Sequence, residues 1–301
     1  MSLQYYARLL PRQSVQFKRR GTVRNSKSKL CVVALAYYPD YFGSLLETVK
    51  TISQTVEVNG VALVLNNSRL NGSPFQDICS NFYCIRHDNT GAEFGGYQAG
   101  LDIIRQNLST PFDLIIINDT AATHYRLPKE HLKAFLRSMA DERSNRVVGQ
   151  VDRSSSLQID DLETSRWVRS NLIGFDHNAL LALDYKIYQP YLNGYLNDSV
   201  DEFFTDHIKA STREKISQWL FAAGGHAWYG AAPLTKDNCT KMAAKARSII
   251  QEFHLAMRLE QNKTLFLEPK LNLQERILLR IKEIMKPADS IHIGRRSSGL
   301  T

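Results

Sequence analysis

The chain of 301 residues has a formal net charge of +8, is 43% hydrophobic and 23% charged, and contains four cysteines. That length suits one elaborated α/β domain with or without a tail, and the composition is that of an ordinary soluble protein. No apolar run approaches the roughly 20 residues of a bilayer span and the N-terminus lacks the apolar segment of a secretion signal, so a cytoplasmic protein with reduced core cysteines is expected.

Residues 1–29 hold eight Lys/Arg and no acid, residues 273–301 hold six against three acids, and the remaining 30–272 therefore carries 24 basic and 27 acidic side chains. A nucleic-acid-binding domain more often spreads basic residues over its folded surface, so nucleic acid is not expected as a partner. Basic ends on a near-neutral body suit an anionic membrane surface, here the inner face of the plasma membrane, or else are solvated tails. From Leu30 to Val151 apolar runs of strand length alternate with amphipathic segments of helix length, the pattern of an α/β fold with a mostly parallel sheet covered on both faces. Strands are expected at 30–38, 60–66, 81–86, 112–118 and 146–151, and helices at 42–57, 92–107 and 128–142, the last opened by Pro128. Residues 165–183 read as a further strand, a turn and a helix; 211–225 as a helix closed by glycine; 240–262 as a longer one. After Leu273, "LQERILLRIKEIMKP" gathers Leu273, Ile277, Ile281, Ile284 and Met285 on one face amid Arg276, Arg280, Lys282 and Lys286. Such a helix either lies on a membrane surface or packs its stripe on the body. The organisation expected is a basic segment at 1–29, a catalytic domain at 30–235 and a helical extension with a basic amphipathic tail at 236–301.

In parallel sheets ligands bind beyond the carboxyl ends of the strands. The residues there are "YYPD" (37–40), "NNSRLNGS" (66–73), "HDNTGAEFGG" (87–96) and "NDTA" (118–121), four polar clusters at neighbouring strand ends. Phe94, Tyr97, Leu101 and Ile104 recur at helical spacing and start a helix near Ala92. Gly91, Gly95 and Gly96 at its beginning either let a phosphate or its sugar approach a positively polarised helix N-terminus or, with Gly100, let the helix sit close to the sheet. The spacing is neither a dinucleotide fingerprint nor a P-loop. No two histidines have helical metal-ligand spacing, and Ser154–Ser156 lack a nucleophile-elbow context.

A strand ending before "YYP", a second ending in "NNS", then "DNTGAEFGGYQAGLD" opening a helix and "FDLIIINDTA" resembles, as an ordered set over about residues 30–225, the nucleotide-binding half of GT-A-fold glycosyltransferases. Within that fold it is similar to the rhamnan-synthesis-F-like and family 2-like polysaccharide glycosyltransferases, with Glu93 and Thr120 where that branch has Asp and Ser. The resemblance implies a GT-A-like, Rossmann-like sheet. It also implies a nucleotide-sugar donor and an inverting transfer to a lipid-linked or oligosaccharide acceptor in surface-polysaccharide synthesis.

Residue by residue, the resemblance puts Tyr38 and Asn66 at the nucleotide, Asn66 standing where many members have a base-recognising Asp. Asn89, Gly91 and Glu93 then lie along ribose and sugar, and Asn118 and Asp119 at the diphosphate. Asp119 occupies the Asp-x-Asp neighbourhood that holds a divalent cation, Mg2+ or Mn2+; "NDTA" has one carboxylate where two are usual, which leaves the diphosphate and water as the alternative holders. A carboxylate at the start of a helix that closes in glycine is implied as the general base, and "REKISQWLFAAGG" places Glu214 there, with Asp201, Glu202 and Asp206 as competitors. The other reading of Glu214 is an acid stabilising a helix dipole. The missing second carboxylate also fits a non-catalytic nucleotide-sugar or glycan-binding protein on the same scaffold.

Overall fold

In the computed structural model residues 28–71, 78–109, 111–123, 127–222, 228 and 230–284 are described. One seven-stranded sheet has the order β3-β2-β1-β4-β6-β5-β7. β1 (Lys29–Ala36), β2 (Gly60–Leu65), β3 (Phe82–Arg86) and β4 (Phe112–Asn118) are parallel, as are β5 (Arg146–Ile159) and β7 (Leu265–Leu267), whereas β6 (Leu162–Phe175) runs antiparallel to both its neighbours. The mostly parallel α/β sheet flanked by helices that the sequence leads one to expect is the one built.

The central strands are apolar throughout because both faces are covered. Along β1, Cys31, Val33 and Leu35 enter one core and Leu30, Val32, Ala34 and Ala36 the other, the two-residue period of a strand. The first core is roofed by α2 (Ala92–Asn107), α6 (Ala210–Leu220) and α7 (Cys239–Gln261), the second by α1 (Phe42–Thr55) and α4 (Lys129–Met139). Two short helices, α3 (Thr120–Thr123) and α5 (His177–Ala182), follow β4 and β6, and α8 (Leu273–Ile284) ends the described chain.

Three features differ from the expectation. β5 runs to Ile159, not to Val151, and pairs with β6 as a long hairpin; its distal half alternates exposed and buried residues, so its polar "DRSSS" gives no apolar run. The segment after 236 is no appendage up to Leu267, since α7 is buried along its length and β7 joins the sheet. Of the four cysteines Cys31 and Cys239 are buried, while Cys79 is half-buried and Cys84, on the edge strand, is exposed.

Candidate functional site

The strand order reverses at β1, whose neighbours are β2 on one side and β4 on the other. The carboxyl ends of β1, β2 and β4 lie side by side there, the position at which parallel sheets bind ligands. The polar residues after these strands meet there. Asn66 donates from its backbone to Ala36 (2.9 Å), and the Asp119 backbone donates to Leu35 (3.1 Å), so the turns after β2 and β4 are both tied to the end of β1.

Asn66 is 6% exposed, and its Nδ2 donates to Asn89 Oδ1 (3.0 Å) and to the Ala92 carbonyl (3.2 Å). Two acceptors on the nitrogen fix which way the amide points. Its Oδ1 is buried with no hydrogen-bond partner among the described residues. A buried carbonyl oxygen left unsatisfied costs about 1–3 kcal/mol, and a ligand N–H or O–H recovers it. Asn89, Gly91 and Ala92 all have left-handed backbone, at φ 66°, 72° and 50°. Asparagine and glycine adopt it readily; Ala92 carries roughly 1–2 kcal/mol of strain, stored where the loop turns into α2.

The glycines of this segment serve packing. A Cβ on Gly95 would lie 1.9 Å from the Thr90 carbonyl oxygen, one on Gly96 2.2 Å from Leu35 Cδ1, and one on Gly100 2.5 Å from Val33 Cγ1. Gly95, Gly96 and Gly100 are all buried; of the two sequence readings close approach of helix and sheet holds for Gly96 and Gly100, while Gly95 clears the turn before the helix. Gly91, the N-cap, faces the ring of Tyr188.

Asp119 is 1% exposed, and its Oδ2 accepts from the backbone N–H groups of Tyr37 and Tyr38, both at 2.6 Å. The carboxylate staples β4 to the turn after β1. It leaves the Tyr37 and Tyr38 rings half-exposed, 4.9 Å apart edge to face. Among the described residues no three His, Cys, Asp or Glu side chains gather to hold a metal ion. Asp119 Oδ2 is engaged by two backbone amides, an arrangement that holds the turn after β1 against β4.

Glu93 at the start of α2 meets Asn118 Nδ2 at Oε2 (3.2 Å) and the Ser170 hydroxyl at Oε1 (2.9 Å). Asn118 Oδ1 in turn accepts from Thr120 N (3.2 Å) and Thr120 Oγ1 (2.7 Å). Behind Ser170 lies a residue the sequence did not single out. Glu252 of α7 is 9% exposed and its Oε1 accepts from the Ser170 backbone N–H, while the Ser170 carbonyl accepts from buried Tyr97 (2.8 Å). Burial first, then the negative charge of Glu93, pushes the Glu252 carboxyl up to about 7. The sequence signal was weak: one of two Glu in a helix that also carries Lys245, Arg247 and Arg258 reads as solvated.

Glu214 is not brought to this cluster. α6 buries Thr212, Ile216 and Leu220, and Thr212 locks it to β5 through Gln158 (2.7 and 2.9 Å), which turns Glu214 outward to bond Gln218 (2.9 Å). Asp206 is exposed and pairs with Arg213 (3.0 Å), and Asp201 and Glu202 are exposed in a turn. His124, His226 and the closing glycines Gly224 and Gly225 lie outside the described residues, as do residues 1–27 and 285–301 of the basic ends.

Fold and site together define an α/β protein with a cluster of polar side chains at the carboxyl ends of its parallel strands. No protein-family model matches the chain, and no curated protein matches it. Among solved structures it is similar to a 4-diphosphocytidyl-2C-methyl-D-erythritol synthase at 10% identity, over 73% of this chain and 98% of that one, with a TM-score of 0.38. It is also similar to the galactosyltransferase LgtC in complex with donor and acceptor sugar analogs, at 8% identity, over 71% and 95%, with a TM-score of 0.28. Similarity this low bears on none of the residues above.

Proposed function

We propose that the chain is a glycosyltransferase that moves a sugar from a nucleotide-sugar donor to a lipid-linked or polysaccharide hydroxyl. The observation that carries this reading is the orphaned Asn66 Oδ1, buried at the switch point beside the left-handed turn that opens α2. It accepts an N–H or O–H of the nucleotide, with the exposed Tyr37 and Tyr38 rings offering an apolar wall. The N-terminus of α2 favours the negative diphosphate. Glu93, held from two sides, accepts sugar hydroxyls.

In the transfer the acceptor oxygen bonds to the anomeric carbon, the bond from that carbon to the diphosphate breaks with its electron pair leaving on the nucleotide diphosphate, and the hydroxyl proton passes to a carboxylate. Such direct displacement inverts the anomeric centre. Glu214 is the base the resemblance implies, and its exposed place on α6 serves an acceptor arriving from solvent; Glu93 is the carboxylate already among the strand ends. Donor hydrolysis without acceptor, followed across a panel of nucleotide sugars, tests the reading. Glu214→Gln is expected to slow transfer by about 10²–10⁴ while sparing donor binding; parental rates in Glu214→Gln and a large loss in Glu93→Gln move the base to Glu93. The stapled Asp119 favours a second reading, a binding protein on the same scaffold, which binds the donor and never hydrolyses it.

The acceptor side is proposed to lie at an anionic membrane. At the start of α8 Glu275 turns inward: it accepts from Arg137 Nη2 at 2.7 Å and forms a capping box with Asn272 (both bonds 2.9 Å). Leu273, Ile277, Leu278 and Ile281 are thereby left 66%, 48%, 48% and 45% exposed beside Arg276 and Arg280. A cleft of about 570 Å³ nearby is lined by Arg137, Arg143, Arg153 and Lys270 against Asp141 and Glu268, an excess of basic side chains. Apolar side chains flanked by cations suit anionic headgroups. No described helix is long and apolar enough to cross a membrane.

A further inference from the structure

We propose that Glu252 is a positioning residue of the strand-end site: it and Glu93 hold one proton between them across Ser170, and so present Glu93 as the single negative charge of the pair. The donor role rests on the glycosyltransferase reading; the shared proton does not. Ser170 is built into both carboxylates. Its hydroxyl donates to Glu93 Oε1 at 2.9 Å and its backbone N–H to Glu252 Oε1, while its carbonyl is held by Tyr97 at 2.8 Å. Two carboxylates bridged by one residue, Glu252 buried and Glu93 half-buried, repel when both are ionised, which favours a proton on the buried one.

The groups that face the pair do not neutralise it. α2 contributes Tyr97, whose hydroxyl is buried and pushed well above its ordinary range by desolvation first and then by Glu93. On α7 itself Lys245 favours the charged form of Glu252, with an effect smaller than that of burial or of Glu93. Lys215 of α6 lies over the Trp167 ring, and the Tyr191 hydroxyl is bonded to His254. Burial therefore decides, and Glu252 is the partner that keeps its proton below about pH 7.

Glu93 is joined through Asn118 to the turn after β4, and its neighbour Ala92 receives the Asn66 amide whose Oδ1 is unsatisfied. A second charge behind Ser170 pushes Glu93 off this arrangement. Ligand affinity at the strand ends then falls as Glu252 ionises, by roughly fivefold or more between pH 6 and pH 8.

Carboxyl ¹³C NMR of the full chain, labelled at glutamate, tests the shared proton without any ligand. One signal is expected to titrate near 7, to vanish in Glu252→Gln and to move to lower pH in Glu93→Gln. An unmoved signal in Glu93→Gln overturns the pair. Affinities for UDP, GDP, CDP and dTDP at pH 6 and pH 8 test the positioning: a fall with pH in the parent that is absent from Glu252→Gln supports it, and an equal fall in both overturns it. If Glu252→Gln does not fold, Ser170→Ala removes the hydroxyl bridge alone and is expected to weaken the same pH effect; an undiminished effect overturns the bridge. Binding of none of the four diphosphates, with the titration as expected, overturns the donor role and the glycosyltransferase reading together while the shared proton stands.

Discussion

Gly95 and Gly43 are both helical glycines, and replacing each by alanine is expected to change stability in opposite directions. Alanine in place of a helical glycine ordinarily stabilises by about 0.5–1 kcal/mol. Gly43 near the start of α1 has nothing within 4 Å of its would-be Cβ, so Gly43→Ala should show that gain. At Gly95 the new carbon would sit 1.9 Å from the Thr90 carbonyl oxygen and 3.0 Å from its carbon, both backbone atoms. Only movement of the 89–91 turn relieves this, and overpacking of that kind costs about 1–3 kcal/mol, which outweighs the helix gain. The net expectation is a loss of roughly 1–2 kcal/mol. Because the turn carries Asn89, which accepts from Asn66, the same change should also displace the Asn66 amide and weaken nucleotide binding. Urea denaturation of the two variants beside the parent measures the difference. A Gly95→Ala protein as stable as Gly43→Ala would refute the claim that α2 begins with glycines for backbone clearance.

Glu252→Gln should alter stability with pH. The folded carboxyl lies near 7 against an ordinary 4.5, so the native state keeps a proton that the unfolded chain loses, and the parent's stability declines as pH rises from about 4.5 through 7. The difference is about 2.5 pH units, or roughly 3 kcal/mol of relative stabilisation of the variant at pH 8; parallel stability curves for the two proteins would contradict it. Asp176→Ala should be among the costliest single changes, about 3–5 kcal/mol. Asp176 pairs with buried Arg146 (3.2 Å) and caps α5 through Ala179 N (2.8 Å); a loss under 1 kcal/mol by chemical denaturation would mean that Arg146 finds another partner. Ile277→Asp with Ile281→Asp should abolish flotation with phosphatidylglycerol vesicles and leave the unfolding midpoint unchanged, since both side chains are exposed; undiminished flotation would remove α8 from the membrane contact.

The parallel core was legible in the residues because it is buried on both faces: "CVVALA", "VALVL" and "LIIIN" are apolar without interruption, and no exposed period competes with the strand reading. The polar clusters that end these runs marked the carboxyl ends of the strands from the residues alone, since the chain leaves a parallel sheet only at its strand ends. At those strand ends Asn66 bonds Asn89, Asn118 bonds Glu93 and the Tyr38 backbone bonds Asp119. Their roles were another matter. Asp119 looks in sequence like a ligand for a cation or diphosphate, and only the position of the Tyr37 and Tyr38 amides makes it a staple. Glycine clears space for a ligand or for another element with the same lack of a Cβ, and the placement of Thr90, Leu35 and Val33 decided for packing. The distal β5–β6 hairpin and three-residue β7 have too few apolar residues to declare themselves and exist through pairing across the chain. Glu252 is distant from Glu93 in sequence, and only the packing of α7 on β6 sets their carboxylates on either side of Ser170. Local pattern thus determined the elements and where the chain exposes its polar ends, because period and burial act within a segment; charge state and contact were decided by tertiary structure, because they depend on what a distant segment places a few ångströms away.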